Sequence, residues 1–130
     1  ASFILGGQIK GQGHDMVLIY PEGNSISASP ANPFLQIGET KYGKPILDRI
    51  VGLDSTLETA ARCALVSIDS TMRSNVSVGP PIELAVYARD SFEIGKRLTL
   101  EVESGYYLSL REGWGKGIRE AFDGLPKLDI

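Results

Sequence analysis

Leu57, Ala60, Ala61, Ala64, Leu65, Ile68 and Met72 recur at helical spacing, three and four residues apart, and this stretch restricts the possible folds more than any other. Residues so spaced share one face of an α-helix, and here that face is rich in small side chains that permit close packing. Just ahead of it, "DSTLE" sets Ser55 and Glu58 in the S-x-x-E pattern of a capping box, which predicts where the helix begins. "RSN" followed by "VSVGPP" marks its end. A helix with one apolar face needs a partner surface, and strand-like segments flank it on both sides.

Upstream, "SFILGGQ" and "MVLIY" read as strands joined by the turn "GQGHD". The turn "PEGN", in which Gly23 and Asn24 tolerate positive φ, leads to a short strand "SISA". The loop "SPANP" then leads to a fourth strand-like run, "FLQIG". Brief turns between short strands imply antiparallel hairpins. In "TKYGKPILDRIVG", Tyr42, Ile46, Leu47 and Ile50 fall at helical spacing, and Pro45 either limits a helix before it or occupies its first turn. Downstream, "PIELAVYA" and "LTLEVE" alternate apolar and polar residues on either side of the turn "ARDSFEIGKR". A last helix runs through "YYLSLREGWGKGIREAFDGL", with Leu110, Trp114, Ile118 and Phe122 on one face. Gly113, Gly115 and Gly117 each weaken it by up to about 1 kcal/mol relative to Ala, so it depends on tertiary packing. The order β-β-β-β, α-α, β-β, α predicts an α+β layered fold built on antiparallel sheet, and 130 residues are one domain's worth of chain or part of a larger one.

Several functional classes lack their signatures. The net charge of -3 comes with no Lys/Arg cluster, which argues against a nucleic-acid surface. No apolar run approaches the roughly 20 residues of a membrane span. "FILGGQIKGQG" and "GWGKG" are Gly-rich, but neither fits a dinucleotide fingerprint or a P-loop. The single Cys63 forms neither an internal disulfide nor a cysteine metal site, and it reads as a small buried group of a reducing, cytoplasmic protein. His14, the one histidine, reads as a surface residue in a Gly-rich turn, and no G-x-S-x-G elbow exists for it to serve. The carboxylates Asp15, Glu22, Glu39, Asp48, Asp54, Glu58 and Asp69 show no paired spacing. Where the long helix ends, the carbonyls of Ile68, Thr71 and Ser74 are three residues apart and could ligate a hard cation. Residue type alone favours the plainer reading, in which the hydroxyls and Asn75 cap the helix.

Together "FILGGQIKG", "LIYPEGN", "FLQIGETKYGKPILDRI" and "ALVSIDSTMRSNVSVGPPIELAVY" resemble bacterial proteasome-type peptidases, in particular the Anbu subgroup of ancestral β-subunit-like proteins. The likeness runs from Phe3 to about Phe122, and the combination of "GGQIKG", "IGETKYGKPILDR" and "DSTMRSN" is specific. It implies a four-layer αββα sandwich of the N-terminal-nucleophile hydrolase type, incomplete here, with residues 1–130 as the C-terminal part of one subunit. The nucleophilic Thr, whose own amine is the base, would lie on the N-terminal part together with an Asp and a Lys. Ala1 has no hydroxyl and cannot take that role. On this reading "ASFILGGQ" opens on a central strand, and the chain by itself contains no catalytic residue and no activity.

The resemblance also assigns supporting residues. The family's Gly-Ser-Gly turn corresponds to "IGETK", with Glu39 at the Ser position, where a carboxylate would raise the proton affinity of a nearby amine. "DSTMRSN" resembles the helix end of HslV-type peptidases, where carbonyls three residues apart bind a cation. Ser74 then takes that family's Thr position, Thr71 and Ile68 supply the preceding carbonyls, and Asp69 is shared. Glu39, Asp69 and Ser74 are thus the supporting candidates. Ile68, Thr71 and Ser74 are the candidate carbonyl ligands of a structural Na or Mg ion, with no cofactor required. The implied partners are a polypeptide substrate and either further copies of the chain or a complementary N-terminal segment, with no nucleic acid and no membrane. A non-catalytic α+β scaffold or interaction domain is the competing reading, and another N-terminal-nucleophile amidohydrolase with Cys or Ser as nucleophile is a third.

Overall fold

The computed structural model describes residues 1–130. Its elements are β1 (Phe3–Gln8), β2 (His14–Ile19), β3 (Ser25–Ser27), α1 (Lys44–Ile50), α2 (Leu57–Ser74), β4 (Ile82–Tyr87), β5 (Ile94–Leu100) and α3 (Gly105–Asp123). The α+β class is as the sequence predicts, expressed as three helices and two small antiparallel sheets. One sheet has the order β1-β2-β3, with Phe3 opposite Ile19 and Gln8 opposite His14. The other is the hairpin β4-β5, with Ile82 opposite Leu100 and an irregularity between Val86 and Tyr87. Gln8 ties the two sheets together. Its Oε1 accepts from the Tyr87 hydroxyl at 2.7 Å and the Asp90 N–H at 2.8 Å, and its Nε2 donates to Asp90 Oδ1 at 2.6 Å.

Several local expectations are corrected. "FLQIG" is not a strand: beyond β3 only Ser29 and Asn32 form an isolated bridge. Pro30 and Pro33 remove backbone donors from the approach to this segment, so a continuing ladder is not available to it. His14 is not in the turn but opens β2, on an exposed position. β5 begins at Ile94 and ends at Leu100, so Val102 and Glu103 lie in the turn that precedes α3 rather than in the strand. Tyr42 precedes α1, and Pro45 sits in that helix's first turn.

The cap of α2 is Thr56, not Ser55. Thr56 Oγ1 accepts the Thr59 N–H at 3.1 Å, while Ser55 Oγ accepts the Gly52 N–H at 2.9 Å in the preceding turn. With the start shifted by one residue, Glu58 cannot reach back to close a box, and it pairs instead with Arg62 Nε at 3.3 Å.

The main core joins α2 to the second sheet and to α3. Leu65, Ile82, Leu100 and Tyr107 are buried together, with Ile68, Met72, Leu84 and Leu110 packed around them. On the opposite side, α1 approaches α2 through Gly43, its N-cap residue. A Cβ at Gly43 would collide with Ser67 Oγ and lie 3.2 Å from the Ser67 Cβ and carbonyl oxygen. Gly43→Ala is therefore expected to lower the unfolding free energy by about 1–3 kcal/mol, seen as a lower urea midpoint with an unchanged slope. Gly52→Ala, whose new methyl would meet nothing within 4 Å, is the near-neutral comparison.

Candidate functional site

The site forms where α2 stops. Asn75 is the C-cap, and its N–H donates to the Thr71 carbonyl at 2.8 Å. A continued helix would aim the Ser77 and Val78 N–H groups at the carbonyls of Arg73 and Ser74. Instead the Ser77 N–H donates to Asn75 Oδ1 at 2.9 Å, and the Val78 N–H to the Asn75 carbonyl at 3.1 Å. The chain therefore turns away while the last carbonyls of the helix keep their free lone pairs.

The same asparagine reaches across the fold. Asn75 Nδ2 donates to Glu39 Oε2 at 3.2 Å, and Asn75 Oδ1 also accepts the Ser77 hydroxyl at 2.7 Å. Glu39 is presented by a tight turn. Gly38 adopts φ +79, a left-handed conformation that glycine alone enters without cost, and Glu39 Oε1 accepts the Lys41 N–H at 3.2 Å. Glu39, Ile68 and Thr71 thereby line one cleft of about 550 Å³, closed elsewhere mainly by apolar groups such as Ile4, Phe34 and Val78. Ser74 is exposed at the mouth of the helix end, outside that lining.

The electrostatics of this corner favour a positive guest. The C-terminal end of a helix carries partial negative charge, and the Glu39 carboxylate lies beside it. Arg73, the basic residue of the last turn, is drawn to Asp69, with Nε 3.5 Å from Oδ2. No group of three or more His, Cys, Asp or Glu side chains is placed to hold a metal ion, so a cation here would rest on backbone oxygens. Uncharged carbonyls at Thr71 and Ser74 with a carboxylate alongside are hard donors of the kind Na and Mg prefer. The Ile68 and Thr71 carbonyls each also accept a backbone N–H, from Met72 and from Asn75, and each keeps a second lone pair.

Asp69 takes no part in this cleft. It is the most buried side chain in the protein, 1% exposed, and it faces α3. Its Oδ1 accepts the Tyr107 hydroxyl at 2.6 Å and lies 3.3 Å from Arg111 Nε. Burial first, then the hydrogen bond to Asp69, pushes the Tyr107 hydroxyl up to about 12. Cys63 is buried with its thiol 3.9 Å from the Ile46 carbonyl, and burial raises its pKa, as befits an unreactive group.

The bridging role of Asn75 was missed at the level of sequence, where it counted only as a cap. The signal was the spacing Asn75-x-Ser77, an Asx turn that fixes the amide and frees its Nδ2 for a distant partner.

No family model matches this sequence, and no curated protein matches it. Solved structures do. Anbu from Hyphomicrobium sp. strain MC1 is 46% identical with a TM-score of 0.95, over 99% of this chain and 55% of that one. Anbu (ancestral beta-subunit) from Yersinia bercovieri is 46% identical with a TM-score of 0.93, over 99% of this chain and 54% of that one. The helical assembly of the Anbu complex from Pseudomonas aeruginosa contains a chain 48% identical, TM-score 0.93, matched over 98% of this chain and 53% of that one. Such identity with a backbone shared throughout places the molecule among the β-subunits of proteasome type. Within them it belongs with the Anbu proteins, and it spans about half the length of the Anbu chains it matches.

Proposed function

We propose that these residues are the C-terminal part of a proteasome-type threonine peptidase subunit that hydrolyses peptide bonds in polypeptides. In this reading the nucleophilic threonine heads a preceding segment. Its hydroxyl oxygen adds to the scissile carbonyl carbon as the proton passes to that residue's own amine. The C–N bond then breaks, the leaving amine takes the proton, and water releases the ester. Residues 1–130 contribute the floor of the site rather than the nucleophile, and the subunit forms a four-layer sandwich when complete. β1 suits this role, because it is an edge strand with Phe3 60% and Leu5 64% exposed and its outer hydrogen-bonding side open to another strand.

The observation that carries the reading is the contact between Glu39 and Asn75. It joins the two segments that the resemblance places around the nucleophile, and it builds there a corner suited to an ammonium group. Glu39 acts as a positioning residue by raising the proton affinity of the nucleophile's amine. Ile68, Thr71 and Ser74 would hold a structural Na or Mg ion through their carbonyls, neutralising the helix end when it is bound. No helix is long and apolar enough to cross a membrane. The Pseudomonas aeruginosa relative forms a helical assembly, and we extend self-assembly to this chain.

The test joins residues 1–130 to a preceding segment that begins with threonine and measures peptide turnover and covalent labelling. The joined polypeptide is expected to turn over substrate, and residues 1–130 alone are not. Turnover by residues 1–130 alone would overturn the reading. In the joined polypeptide Glu39→Gln is expected to move the acid limb of the kcat/KM profile down by about one pH unit, because the free amine is the active form. An acid limb that stays in place removes Glu39 from this role.

A further inference from the structure

A glutamate side chain is long and freely rotating, and it stays in one place only where something holds it. Glu39 is half-buried, and the donor to its Oε1 is the Lys41 N–H, two residues on in the same turn. One bond from its own turn leaves the carboxylate free to swivel about that oxygen. The donor to Oε2 comes from a different element, Asn75 Nδ2 at 3.2 Å, 36 residues away. Donors on both oxygens, from separate segments, fix the plane of the group, and each oxygen keeps a lone pair for a further donor.

Asn75 can supply that bond because its amide cannot turn over. The Ser77 N–H meets Asn75 Oδ1 at 2.9 Å, and the Ser77 hydroxyl donates to the same oxygen at 2.7 Å. The hydroxyl could rotate to suit either end of the amide, but the N–H is a donor only. A flipped amide would therefore set N–H against N–H at Ser77 and oxygen against the Glu39 carboxylate. The backbone of Asn75 is anchored too, its N–H donating to the Thr71 carbonyl at 2.8 Å and its carbonyl accepting the Val78 N–H at 3.1 Å. Every polar group of Asn75 is thus engaged, and only Nδ2 reaches beyond the helix end. We infer that Asn75, its amide set by Ser77, is a positioning residue that aims the Glu39 carboxylate at the amine of the nucleophile. This rests on the role proposed for Glu39 above and names the residues that hold it in place.

The experiment uses the joined polypeptide and follows the acid limb of kcat/KM against pH. Asn75→Ala keeps the backbone cap but frees Glu39, so the limb is expected to move down by about half a pH unit, part of the way to Glu39→Gln. Asn75→Gln carries its amide on a longer stem that cannot also close the Ser77 turn, and it is expected to match Asn75→Ala. Above the limb each variant should keep kcat/KM within about twofold of wild type, because the free amine forms there unaided. In the Glu39→Gln background, Asn75→Ala is expected to move the limb no further. A limb that moves with Glu39→Gln but not with Asn75→Ala overturns this inference alone. So does an equal shift by Asn75→Ala in both backgrounds, or a wild-type profile in Asn75→Gln. A limb that Glu39→Gln leaves in place overturns the role of Glu39 and this inference with it.

Discussion

Asp69→Ala is expected to destabilise the fold by about 2–4 kcal/mol, although the residue touches neither substrate nor cleft. The Asp69 carboxylate is 1% exposed and is satisfied from two elements, by the Tyr107 hydroxyl and Arg111 on α3 and by Arg73 on α2 itself. Removing it leaves the Tyr107 hydroxyl, on a side chain 2% exposed, without its acceptor, which by itself costs about 1–3 kcal/mol. The arginines cost less to orphan, because Arg73 and Arg111 are 57% and 36% exposed and can turn to water. Tyr107→Phe removes the other end of the same charge-assisted bond and should cost about 1.5–3 kcal/mol. A double-mutant cycle in urea is expected to show the two losses overlapping, with strong coupling, whereas additive losses would mean the bond contributes nothing.

The same pair has a pH signature. Burial and the bond to Asp69 raise the Tyr107 hydroxyl from its ordinary 10.0 to about 12, so the folded state holds this proton more tightly than the unfolded chain does. The contribution is fully present below pH 10 and is lost as pH rises from about 10 to about 12. The stability difference between wild type and Tyr107→Phe should therefore shrink across that window by about 2–3 kcal/mol. A constant difference through pH 12 would show that Tyr107 titrates as an ordinary tyrosine.

How far sequence reaches is clearest at α2. Its apolar period located the helix, because 3.6-residue spacing is a local property, and its end was marked by "RSN" and the Gly-Pro-Pro segment that follows. Its start was displaced by one residue, because Ser55 and Thr56 are both competent caps and the S-x-x-E pattern occurs one step too early. "FLQIG" misled for a different reason. Strand-like composition does not reveal that the segment lies along α2 and lines a cleft instead of extending a ladder. The site was legible only in pieces. Resemblance pointed to Glu39 and to the end of α2, yet the amide that joins them bridges 36 residues and is invisible to any local pattern. Asp69 shows the converse: its place in "DSTMRSN" suggested a role in the site, but its helical phase turns it to α3.

Leu65→Ala is expected to cost about 2–5 kcal/mol and to be the most damaging single truncation of the apolar core. Leu65 is 2% exposed and is packed with Ile82, Leu100 and Tyr107, so it is the fully buried residue through which α2 meets both strands of the second sheet and α3. The truncation removes the contacts of the lost carbons and leaves a cavity, which two strands and a helix cannot collapse without disturbing one another. Val76→Ala, just past the end of α2 and fully exposed, removes apolar carbons at no such cost and should change stability by less than about 0.5 kcal/mol. The effect should also reach the candidate site. Ile68 and Met72 lean on the Leu65 cluster and lie on the turns that deliver Thr71 and Asn75 to Glu39. Hydrogen exchange of the Thr71–Asn75 amides is therefore expected to quicken in Leu65→Ala and to stay unchanged in Val76→Ala. Protection that is equal in both variants would mean that the end of α2 is held by its polar contacts alone.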